Sequence, residues 1–585
     1  MSTEFLGVKH SLSNRIWIGP SAEQERIAAG IAQEHDISLL TALLLTKRQV
    51  NAKSLKSYLS PKIKDLMPDP YSLLDMEKAS NRVLQSIEKQ EKICIFADYD
   101  VDGTSSASML LLWLKHFKIF PEIYIPDRID EGYGPNPKAM EMLSKKNELI
   151  ICVDCGTVAY DAIEIANKNG TDVLILDHHI PDEVLPPAFA IVNPKRIDES
   201  SDLDYLCAAG VVFLFLAALS RLLKYRQIDS PNVMSFLDLV ALATVADVVP
   251  LVKLNRALVS QGLKVLEKRN RPGLIALINE AKIKTQPTSY HLGYLLAPRI
   301  NAAGRLSDAK FAVKLLTATS NNDSIKIAQE LNELNIKRRS LENLVLNEAL
   351  VQIEINSREK NSLIWVASDK WHPGVVGIVA ARLKEKFNRP SLVFSINEKG
   401  TAVGSARSVP NVNIGYEIKK LVDTGFAISG GGHSMAAGIK VNHNLLLKSM
   451  EALKTSIENS HKDNKFRPII EIDSLISVQG ATVAIVEEMN SVGPFGAGNP
   501  SPIIAIANCQ IKHIKILIEK HIKFICIDSS GKRLESIFFN GFETAVGQTI
   551  LKNTGESFHL CGKLEINDWG GYRRVVLQVE DAATV

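Results

Sequence analysis

The sequence predicts an α/β protein with a parallel-sheet domain, a long connecting helix, a second α/β domain and a C-terminal β domain. Three observations predict this fold. Short strand-like and helix-like runs alternate from Glu91 to about residue 180, helix formers dominate residues 324–355, and short strand-like runs dominate the residues after 465. Strands and helices that alternate at such lengths form right-handed βαβ units, and therefore a largely parallel sheet.

The elements follow in chain order. Residues 1–90 have helical periodicity and no chemical motif, which predicts a helical lead-in. In 91–318, the strands "KICIFADYD", "FPEIYIPD", "ELIICVD" and "DVLILDHH" are separated by helices, and a helical region follows from Ala208. In 319–358, apolar residues recur every three, four or seven positions and predict one connecting helix. "SLIWVAS", "PSLVFSI" and "GTAVGSARS" begin a second α/β domain in 359–455, and 456–585 predict a small β-barrel or sandwich.

Composition excludes several classes of protein. A chain of 585 residues exceeds what one core supports, which predicts roughly three or four domains. With 46% hydrophobic and 23% charged residues, the chain is globular rather than disordered. The 68 basic and 65 acidic residues nearly balance, so a nucleic-acid site would have to be a local basic patch.

Other sequence features predict a cytoplasmic protein that does not enter a membrane. The first residues lack the apolar core of a secretory signal, and the longest apolar stretch, "GVVFLFLAALSRLL", is short and interrupted by Arg221. We therefore expect a buried helix there. Seven scattered cysteines indicate a reducing compartment. Cys152 and Cys155 form a C-x-x-C at a strand end rather than at a helix start, which disfavours a redox role.

Acidic residues follow three of the predicted strands. They are Asp98, Asp100 and Asp102 in "ADYDVDG", Asp154 in "VDCG", and Asp177 in "LDHH" beside His178 and His179; Asp247 lies in a later apolar run. Each aspartate alone is explained as a helix N-cap or a satisfied buried acid. Because the carboxyl ends of parallel strands meet at one sheet edge, where ligands usually bind, we expect these side chains to gather there.

Such a gathering predicts a metal site. Six carboxylates and two imidazoles at one edge repel one another unless cations are present. Carboxylate oxygens with a minority of imidazoles suit Mn²⁺ or Mg²⁺ better than structural zinc. With this many ligands, we expect a pair of ions that share a bridging carboxylate, as in phosphoryl chemistry.

These motifs resemble those of the DHH phosphoesterase superfamily. The series D-x-D-x-D-G-T, V-D-x-G, D-H-H and A-D-V-x-P is similar to its motifs in order. The segments "RINAAGRLSDA", "WHPGVVGIVAARL", "GSARS", "ISGGGHSMAAG" and "GPFGAGNPSP" resemble those of the RecJ exonucleases within it. The resemblance covers nearly the whole chain from about residue 90.

The resemblance implies roles for the clustered residues. It places Asp100, Asp102, Asp154, His178 and Asp247 on metal-ligand positions, with Asp154 as the bridge, and adds His179 to the catalytic set. Asp98, Asp177 and His179 are implied either as ligands or as groups that orient ligands. Many members have a histidine where this chain has Phe96, which puts one imidazole ligand in doubt.

Further residues are candidates for binding phosphate. A glycine-rich turn with His433 provides backbone N–H groups for an anion. The resemblance implies that Arg128, Ser405 and Arg407 bind the terminal 5′-phosphate. Arg299 and Arg305 either stabilise the scissile phosphate or hold the linker, and His372 either binds phosphate or caps a helix.

For the C-terminal domain the resemblance implies an OB-like fold that binds single strands. Basic residues there alternate with aromatic ones, a pattern that fits either a basic outer face with an aromatic core or a stacking surface. The residues are Lys512, Lys515, Lys520, Lys523, Lys532, Arg533, Arg573 and Arg574 with Phe524, Phe538, Trp569 and Tyr572.

Taken together with the predicted metal site, the resemblance implies a metal-dependent exonuclease that degrades single-stranded DNA 5′→3′ to 5′-mononucleotides in DNA repair and recombination. The resemblance also suggests a helicase and a single-strand-binding protein as partners. Two alternatives stay open. One is a phosphodiesterase for oligonucleotides or cyclic dinucleotides, and the other is a non-catalytic scaffold that binds single strands.

Overall fold

The computed structural model describes residues 4–358, 361–460, 468–568 and 572–585. The helices are α1 (Ala22–His35), α2 (Leu39–Lys47), α3 (Leu55–Leu59), α4 (Ile63–Leu66), α5 (Met76–Lys89), α6 (Val101–His116), α7 (Pro137–Ser144), α8 (Tyr160–Lys168), α9 (Ala208–Tyr225), α10 (Leu237–Ala246), α11 (Lys253–Glu267), α12 (Pro272–Glu280), α13 (Ala297–Leu306), α14 (Lys310–Leu316), α15 (Asn321–Ile355), α16 (Pro373–Phe387), α17 (Ile414–Asp423), α18 (Leu446–Ser460), α19 (Val483–Ser491) and α20 (Ala545–Lys552).

The strands are β1 (Ile16–Ile18), β2 (Ile93–Ala97), β3 (Glu122–Tyr124), β4 (Leu149–Val153), β5 (Asp172–Leu176), β6 (Ala190–Val192), β7 (Ile364–Ser368), β8 (Ser391–Ile396), β9 (Thr401–Arg407), β10 (Ser429–Gly432), β11 (Ala436–Asn442), β12 (Ile469–Glu471), β13 (Ser474–Leu475), β14 (Ile504–Leu517), β15 (His521–Ile527), β16 (Arg533–Phe538), β17 (Ser557–Asn567) and β18 (Arg574–Thr584).

The described residues divide into two compact units. One unit draws on the described residues of Met1–Pro68, Val248–Gln261 and Lys465–Val585, and the other on Asp69–Asp247 and Gly262–Asn464. We call the first the barrel unit and the second the site unit. Both cross the domain boundaries drawn from the sequence, which follow chain order and stay predictions.

The first sheet of the site unit is parallel, in the order β3-β2-β4-β5-β6. Every residue of β2 and of β4 is buried, which explains their uninterrupted apolar sequences, because helices cover both faces of such a sheet. Strand order reverses at β2, with β3 on one side and β4 on the other. Such a reversal is where α/β sheets bind ligands, beyond the carboxyl ends of the strands.

Helix α9 is the only helix of the described residues that is long and apolar enough to cross a membrane. The protein buries 67% of this helix in its interior, and core helices of globular domains have the same length and composition. It packs against α5, α6 and α10. This burial confirms the interpretation of its sequence as a buried helix.

One continuous helix, α15, and a second sheet complete the site unit. Helix α15 has 35 residues, which at 1.5 Å per residue gives a length of about 52 Å. The second sheet has the order β10-β11-β9-β8-β7 and is antiparallel except for the β7–β8 pair. The connecting helix and the second α/β domain predicted from the sequence are confirmed.

The barrel unit contains a closed β-barrel. Strand β14 pairs with β15 on one side and with β17 on the other, and the order β14-β15-β16-β18-β17 returns to β14. Of the barrel and sandwich alternatives, the barrel is therefore correct. The N-terminal residues pack in the same unit, because β1 pairs with β12 and the Trp17 indole N–H donates to Asp581 Oδ2 at 3.0 Å.

A buried arginine joins three segments of the barrel unit. Arg256 is 2% exposed and donates from Nε to the Tyr58 carbonyl at 2.8 Å and from Nη2 to the Val492 carbonyl at 2.9 Å. Its guanidinium lies 3.8 Å from the centre of the Tyr58 ring. Burial lowers the pKa of Arg256 to about 10, which leaves it protonated at neutral pH.

We expect Arg256→Met to destabilise the barrel unit by about 2–5 kcal/mol, because buried carbonyls lose their donors. The measurement is the free energy of unfolding from urea titration, followed by the tryptophan fluorescence of the whole protein. Arg573→Met removes an exposed arginine paired with Glu487 and Asp568, and should change this free energy far less. Equal losses for the two variants would contradict the role given to Arg256.

Candidate active site

Three carboxylates directly follow the ends of three adjacent strands, β2, β4 and β5, at the same edge of the sheet. Ala97 pairs with Val153, and Val153 pairs with Leu176, so the next residues Asp98, Asp154 and Asp177 are aligned. The Asp154 N–H donates to the Leu176 carbonyl at 3.0 Å and extends the hydrogen bonding of the sheet by one residue. Parallel register is thus what brings together acids that are far apart in the chain.

The turn after β4 presents Asp154 at this edge. Asp154 has a φ of +60°, a left-handed conformation that costs a non-glycine residue roughly 1 kcal/mol. Gly156 follows with a φ of +110°, and a Cβ there would lie 3.2 Å from Cys152 Cβ. The chain therefore bends sharply at the strand end and leaves the Asp154 carboxylate at the edge of the sheet.

Three groups of side chains place their ligand atoms close enough to hold a metal ion. In each group these atoms lie within 4.8 Å of one another; the groups are Asp154, His178 and His179; Asp102, His178 and Asp247; and Asp98, Asp100 and Asp154. His178 Nε2 lies 3.3 Å from Asp154 Oδ1, 3.6 Å from Asp247 Oδ2 and 3.8 Å from Asp102 Oδ2. Asp154 and His178 each belong to two groups.

Buried polar atoms without hydrogen-bond partners indicate that the residues fit a cation. Among the described residues these atoms include Asp98 Oδ1, Asp154 Oδ1 and both ring nitrogens of His178. Each such atom costs about 1–3 kcal/mol unless something binds it. Carboxylate oxygens with imidazole nitrogens are the ligands expected for Mn²⁺ or Mg²⁺. The cluster could hold a divalent cation of this type.

The shifted pKa values of the clustered side chains also indicate a cation site. Burial and the neighbouring Asp102 raise the pKa of Asp154, and burial and Asp100 raise the pKa of Asp98. Burial and Asp100 also raise the pKa of Asp102 to about 7. Burial, with the neighbouring His179, lowers the pKa of His178 to about 3, so its imidazole is neutral and has a lone pair for a metal. A bound cation would relieve the repulsion among the acids.

Asp100 and Asp102 also organise two helices. Asp100 is the N-cap of α6, and its Oδ1 accepts from the Asp102 and Gly103 N–H groups at 2.7 and 3.2 Å. The Asp102 carboxylate accepts from the N–H groups of Ala208 and Ala209, at 2.7 and 2.8 Å, where α9 begins. Helix N-termini favour negative charge, so both acids are held in place before any ion binds.

Asp177 has different surroundings. Its carboxylate accepts from the Thr157 N–H and hydroxyl, from the N–H groups of His178 and His179, and from His179 Nδ1 at 2.8 Å. Burial opposes ionisation, but the hydrogen bond and charge of His179 lower the pKa of Asp177. Because its oxygens are already engaged, Asp177 fits the orienting role better than that of a ligand.

An arginine cluster lies near the carboxylates in the site unit. The Arg128 guanidinium lies 4.8 Å from the centre of the Tyr99 ring, next to Asp98. Burial and the charge of Arg128 lower the pKa of Arg407, and lower that of Arg305 to about 9. Arg407 Nη1 donates to Ser405 Oγ at 3.1 Å, which places the serine in the same cluster. An anion such as phosphate would relieve the repulsion among these guanidinium groups.

The glycine-rich turn brings His433 toward the metal groups. His433 lies in the turn between β10 and β11, and its N–H donates to the Ala436 carbonyl at 2.8 Å. Burial and then the charges of His179 and Lys195 lower the pKa of His433, which places its ring within electrostatic reach of His179. The second sheet therefore presents an imidazole to the residues on the first.

Known proteins resemble the chain along most of its length. Family models match residues 92–244 (DHH family, N-terminal domain), 360–459 (DHHA1 domain) and 472–581 (RecJ OB domain). The single-stranded-DNA-specific exonuclease RecJ of Bacillus subtilis (strain 168) is 34% identical over 97% of this chain and 70% of its own. The chain belongs to the RecJ family.

Solved structures agree with this fold. The crystal structure of RecJ in complex with Mn²⁺ from Thermus thermophilus has a TM-score of 0.80 at 24% identity, and covers 97% of this chain and 78% of its own. A crystal structure of exonuclease RecJ bound to manganese has a TM-score of 0.58 at 28% identity, and covers 68% of this chain and 98% of its own. The chain thus has a RecJ fold that contains DHH, DHHA1 and OB domains.

Phe96, which departs from the histidine of many DHH proteins, lies in the core of this RecJ-family chain. It is fully buried, with its ring centre 5.2 Å from that of Tyr124 and in the same hydrophobic cluster as Cys94 and Cys152. None of the three metal groups of the described residues includes position 96. The side chain at this position faces the apolar layer of the sheet.

Arg299 and His372 each have a structural partner. Arg299 donates from Nε to Asn332 Oδ1 on α15 at 3.0 Å and from Nη1 to the Leu295 carbonyl at 2.6 Å. His372 Nδ1 accepts from the Gly374 N–H at 3.0 Å and caps α16. The sequence left two roles open for each residue. The structure shows Arg299 in contact with the connecting helix α15 and His372 as the cap of α16.

Sequence reasoning missed three residues of this site. The Tyr133 hydroxyl donates to the Asp154 carbonyl at 3.0 Å and lies 3.0 Å from His179 Nδ1. Asn193 Nδ2 donates to the His179 carbonyl at 2.8 Å, and the charge of Lys195 helps to lower the pKa of His178. The signal for the last two was "NPK" after the short strand β6, at the same sheet edge as the acids.

The aromatic residues named in the barrel divide into core and surface. Phe524 and Phe538 are buried in the barrel, so they fit the aromatic-core alternative, whereas Tyr572 is 72% exposed. Trp569 lies outside the described residues. Among the basic residues, Lys523 pairs with Glu535, and Arg573 pairs with Glu487 and Asp568.

Proposed function

We propose that this protein is an exonuclease specific for single-stranded DNA, which removes 5′-mononucleotides in the 5′→3′ direction during DNA repair and recombination. The observation that carries the proposal is the set of overlapping metal groups at the ends of β2, β4 and β5. The RecJ relatives, named as single-stranded-DNA-specific exonucleases, supply the substrate class.

The mechanism assigns a task to each group of residues. Asp98, Asp100, Asp102, Asp154, His178 and Asp247 would hold a pair of Mn²⁺ or Mg²⁺ ions. Such ions lower the pKa of bound water and neutralise charge on a phosphate. Asp177 and Tyr133 fix the orientation of His179 through their contacts with Nδ1. His433 would face the scissile phosphate from the second sheet.

The arginine cluster would hold the 5′ end of the strand. Arg128, Ser405 and Arg407 would bind the terminal phosphate, and Arg305 would bind the scissile one. Fixing the end in this way sets the distance between the terminus and the metal groups. That distance would limit each cut to one nucleotide.

The experiment is digestion of end-labelled single strands and matched blunt duplexes in Mn²⁺, Mg²⁺ or EDTA. We expect metal-dependent release of mononucleotides from the 5′ end of single strands and none from the duplex. Cleavage confined to dinucleotides or cyclic dinucleotides would support the phosphodiesterase alternative. Strands that are bound but left intact in every metal would support the scaffold alternative.

Arg407→Ala is expected to abolish the preference for a 5′-phosphate. A charge-assisted contact is worth about 1.5–3 kcal/mol, so kcat/KM on 5′-phosphorylated strands should fall about 10- to 100-fold. On 5′-hydroxyl strands it should change little. The matched control is Lys399→Ala, which removes a positive charge just beyond the other end of β9. Equal losses on both substrates would place Arg407 elsewhere in the reaction.

The cellular setting is also part of the proposal. We infer a cytoplasmic enzyme that acts beside a helicase, which would supply single strands, and a single-strand-binding protein, which would coat them. The even balance of charge along the chain supports local contacts with DNA rather than general attraction.

A further inference from the structure

Two exposed tyrosines form a stacked pair on the site unit. Tyr290 is 60% exposed and Tyr294 is 71% exposed. Their ring centres are 5.0 Å apart and the ring planes differ by 25°. What distinguishes this pair from single exposed tyrosines is that the two stacked rings present aromatic faces side by side, on which a planar group such as a nucleobase can stack.

The backbone around this pair is unusual. Residues His291–Leu296 form a π-helix, which starts immediately after Tyr290 and contains Tyr294. Such π-helical turns are rare and occur frequently at functional sites. Tyr290 and Tyr294, four residues apart, lie on one exposed face, while Leu292 and Leu296 are buried.

The pair is tied to the active site through two helices. Gly293 packs against α10, where a Cβ would lie 3.2 Å from Val245 Cγ1, and α10 ends immediately before Asp247. The π-helix also continues directly into α13, which carries Arg305. Tyr294 precedes Arg305 by 11 residues, or about 16 Å of helix.

Charge near the pair suits a nucleic-acid backbone. Burial and then the charge of Arg339 lower the pKa of Arg299, so two guanidinium groups lie close together on α13 and α15. Phosphates bind where basic groups are concentrated, and the bases of a single strand stack on aromatic faces whatever their identity. Arg299 lies five residues after Tyr294, so a basic pair and an aromatic pair occur in the same short stretch of chain.

We propose that Tyr290 and Tyr294 form a stacking platform for bases of the single strand, on the 3′ side of the scissile phosphate. This inference rests on the proposed function, since it takes the 5′ end to be held by the arginine cluster. At 3.4 Å per stacked nucleotide, the 16 Å to Arg305 span about four whole nucleotides on the 3′ side of the scissile phosphate, which corresponds to positions 2–5 of the strand. The platform holds the strand between cuts and takes no part in the chemistry.

The first test compares variants of the pair. Tyr290→Ala/Tyr294→Ala is expected to raise KM and the Kd for a 5′-phosphorylated oligothymidylate about tenfold or more, and to leave kcat within about twofold. Tyr290→Phe/Tyr294→Phe should behave as wild type, because stacking needs the ring and not the hydroxyl. An alanine variant that binds as tightly as wild type would overturn the proposal.

The matched control is Tyr225→Ala. Tyr225 is 88% exposed and ends α9, whose 18 residues begin beside Asp102 and carry Tyr225 about 25 Å from it. Losing this tyrosine should change neither Kd nor KM. An equal effect from Tyr225→Ala would mean that any exposed tyrosine matters, and would overturn the platform.

The decisive test replaces one nucleotide at a time with an abasic residue. In the wild type, an abasic residue at one or two of positions 2–5 should weaken binding about tenfold, and the alanine double variant should lose less than twofold at the same positions. Equal abasic effects in both proteins would overturn the platform. If the wild-type protein binds single strands without cleaving them, only the proposed function is refuted, because the abasic effects of the two proteins can still be compared from binding. If the wild-type protein neither binds nor cleaves single strands, both the proposed function and the platform are refuted.

Discussion

Asp154→Asn is expected to reduce hydrolysis of single-stranded DNA by about 10³-fold or more. Asp154 belongs to two of the three metal groups, and a metal that polarises a phosphate contributes several kcal/mol to the reaction. The measurement is single-turnover cleavage of a 5′-labelled strand in Mn²⁺. An exposed aspartate on α8, changed in Asp161→Asn, provides the control and should leave the rate unchanged.

The same substitution should stabilise the metal-free protein. Burial and neighbouring acids raise the folded-state pKa of Asp154, so its ionised form opposes folding at any pH above the unfolded pKa. Asparagine removes that charge, and the midpoint of thermal unfolding in EDTA at pH 7 should rise by a few degrees. A variant that loses activity and also unfolds at a lower temperature would indicate a structural role for Asp154 instead.

Removing divalent cations is expected to abolish hydrolysis, and returning Mn²⁺ is expected to restore it and to stabilise the fold. A ligand at 100 times its Kd stabilises the folded state by about 2.7 kcal/mol. The measurement is the midpoint of thermal unfolding across a titration with Mn²⁺ after dialysis against EDTA. This readout does not depend on DNA or on catalysis.

The contrast between two variants shows where the cation binds. The midpoint of Asp161→Asn should rise with Mn²⁺ as in wild type, whereas that of Asp154→Asn should rise much less. If Mn²⁺ shifts both variants equally, the stabilising ion binds outside the three metal groups.

The parallel sheet could be predicted because its central strands β2 and β4 are short, wholly apolar and followed by acids. In a parallel register, the residue after each strand reaches the same edge, so Asp98, Asp154 and Asp177 could be placed together from the sequence. Which of these three carboxylates is free to bind a metal could not be predicted from the sequence. Asp177 differs from Asp154 in its hydrogen bonds to Thr157 and His179, and residue type carries no information about those partners.

Other features depend on contacts between distant parts of the chain. Pairing of β1 with β12 joins residues separated by more than 450 positions, so the N-terminal residues gave no sign that they belong to the barrel unit. Tyr133 lies in a loop without periodicity, and β6 is too short to be recognised as a strand. The helical region predicted from the sequence includes Tyr290, but residue spacing does not distinguish a π-helix from an α-helix over six residues.

The hydrogen bonds around Asp177 have a consequence for the choice of ion. Five donors reach this one carboxylate, from the loop after β4 and from both histidines that follow it. The loop is thereby rigid before a cation arrives, and little conformational entropy remains to be lost on binding. A rigid set of ligands cannot contract around a small ion or expand around a large one. We therefore expect this RecJ-family site to discriminate among divalent cations, which carry the same charge, by their ionic radius.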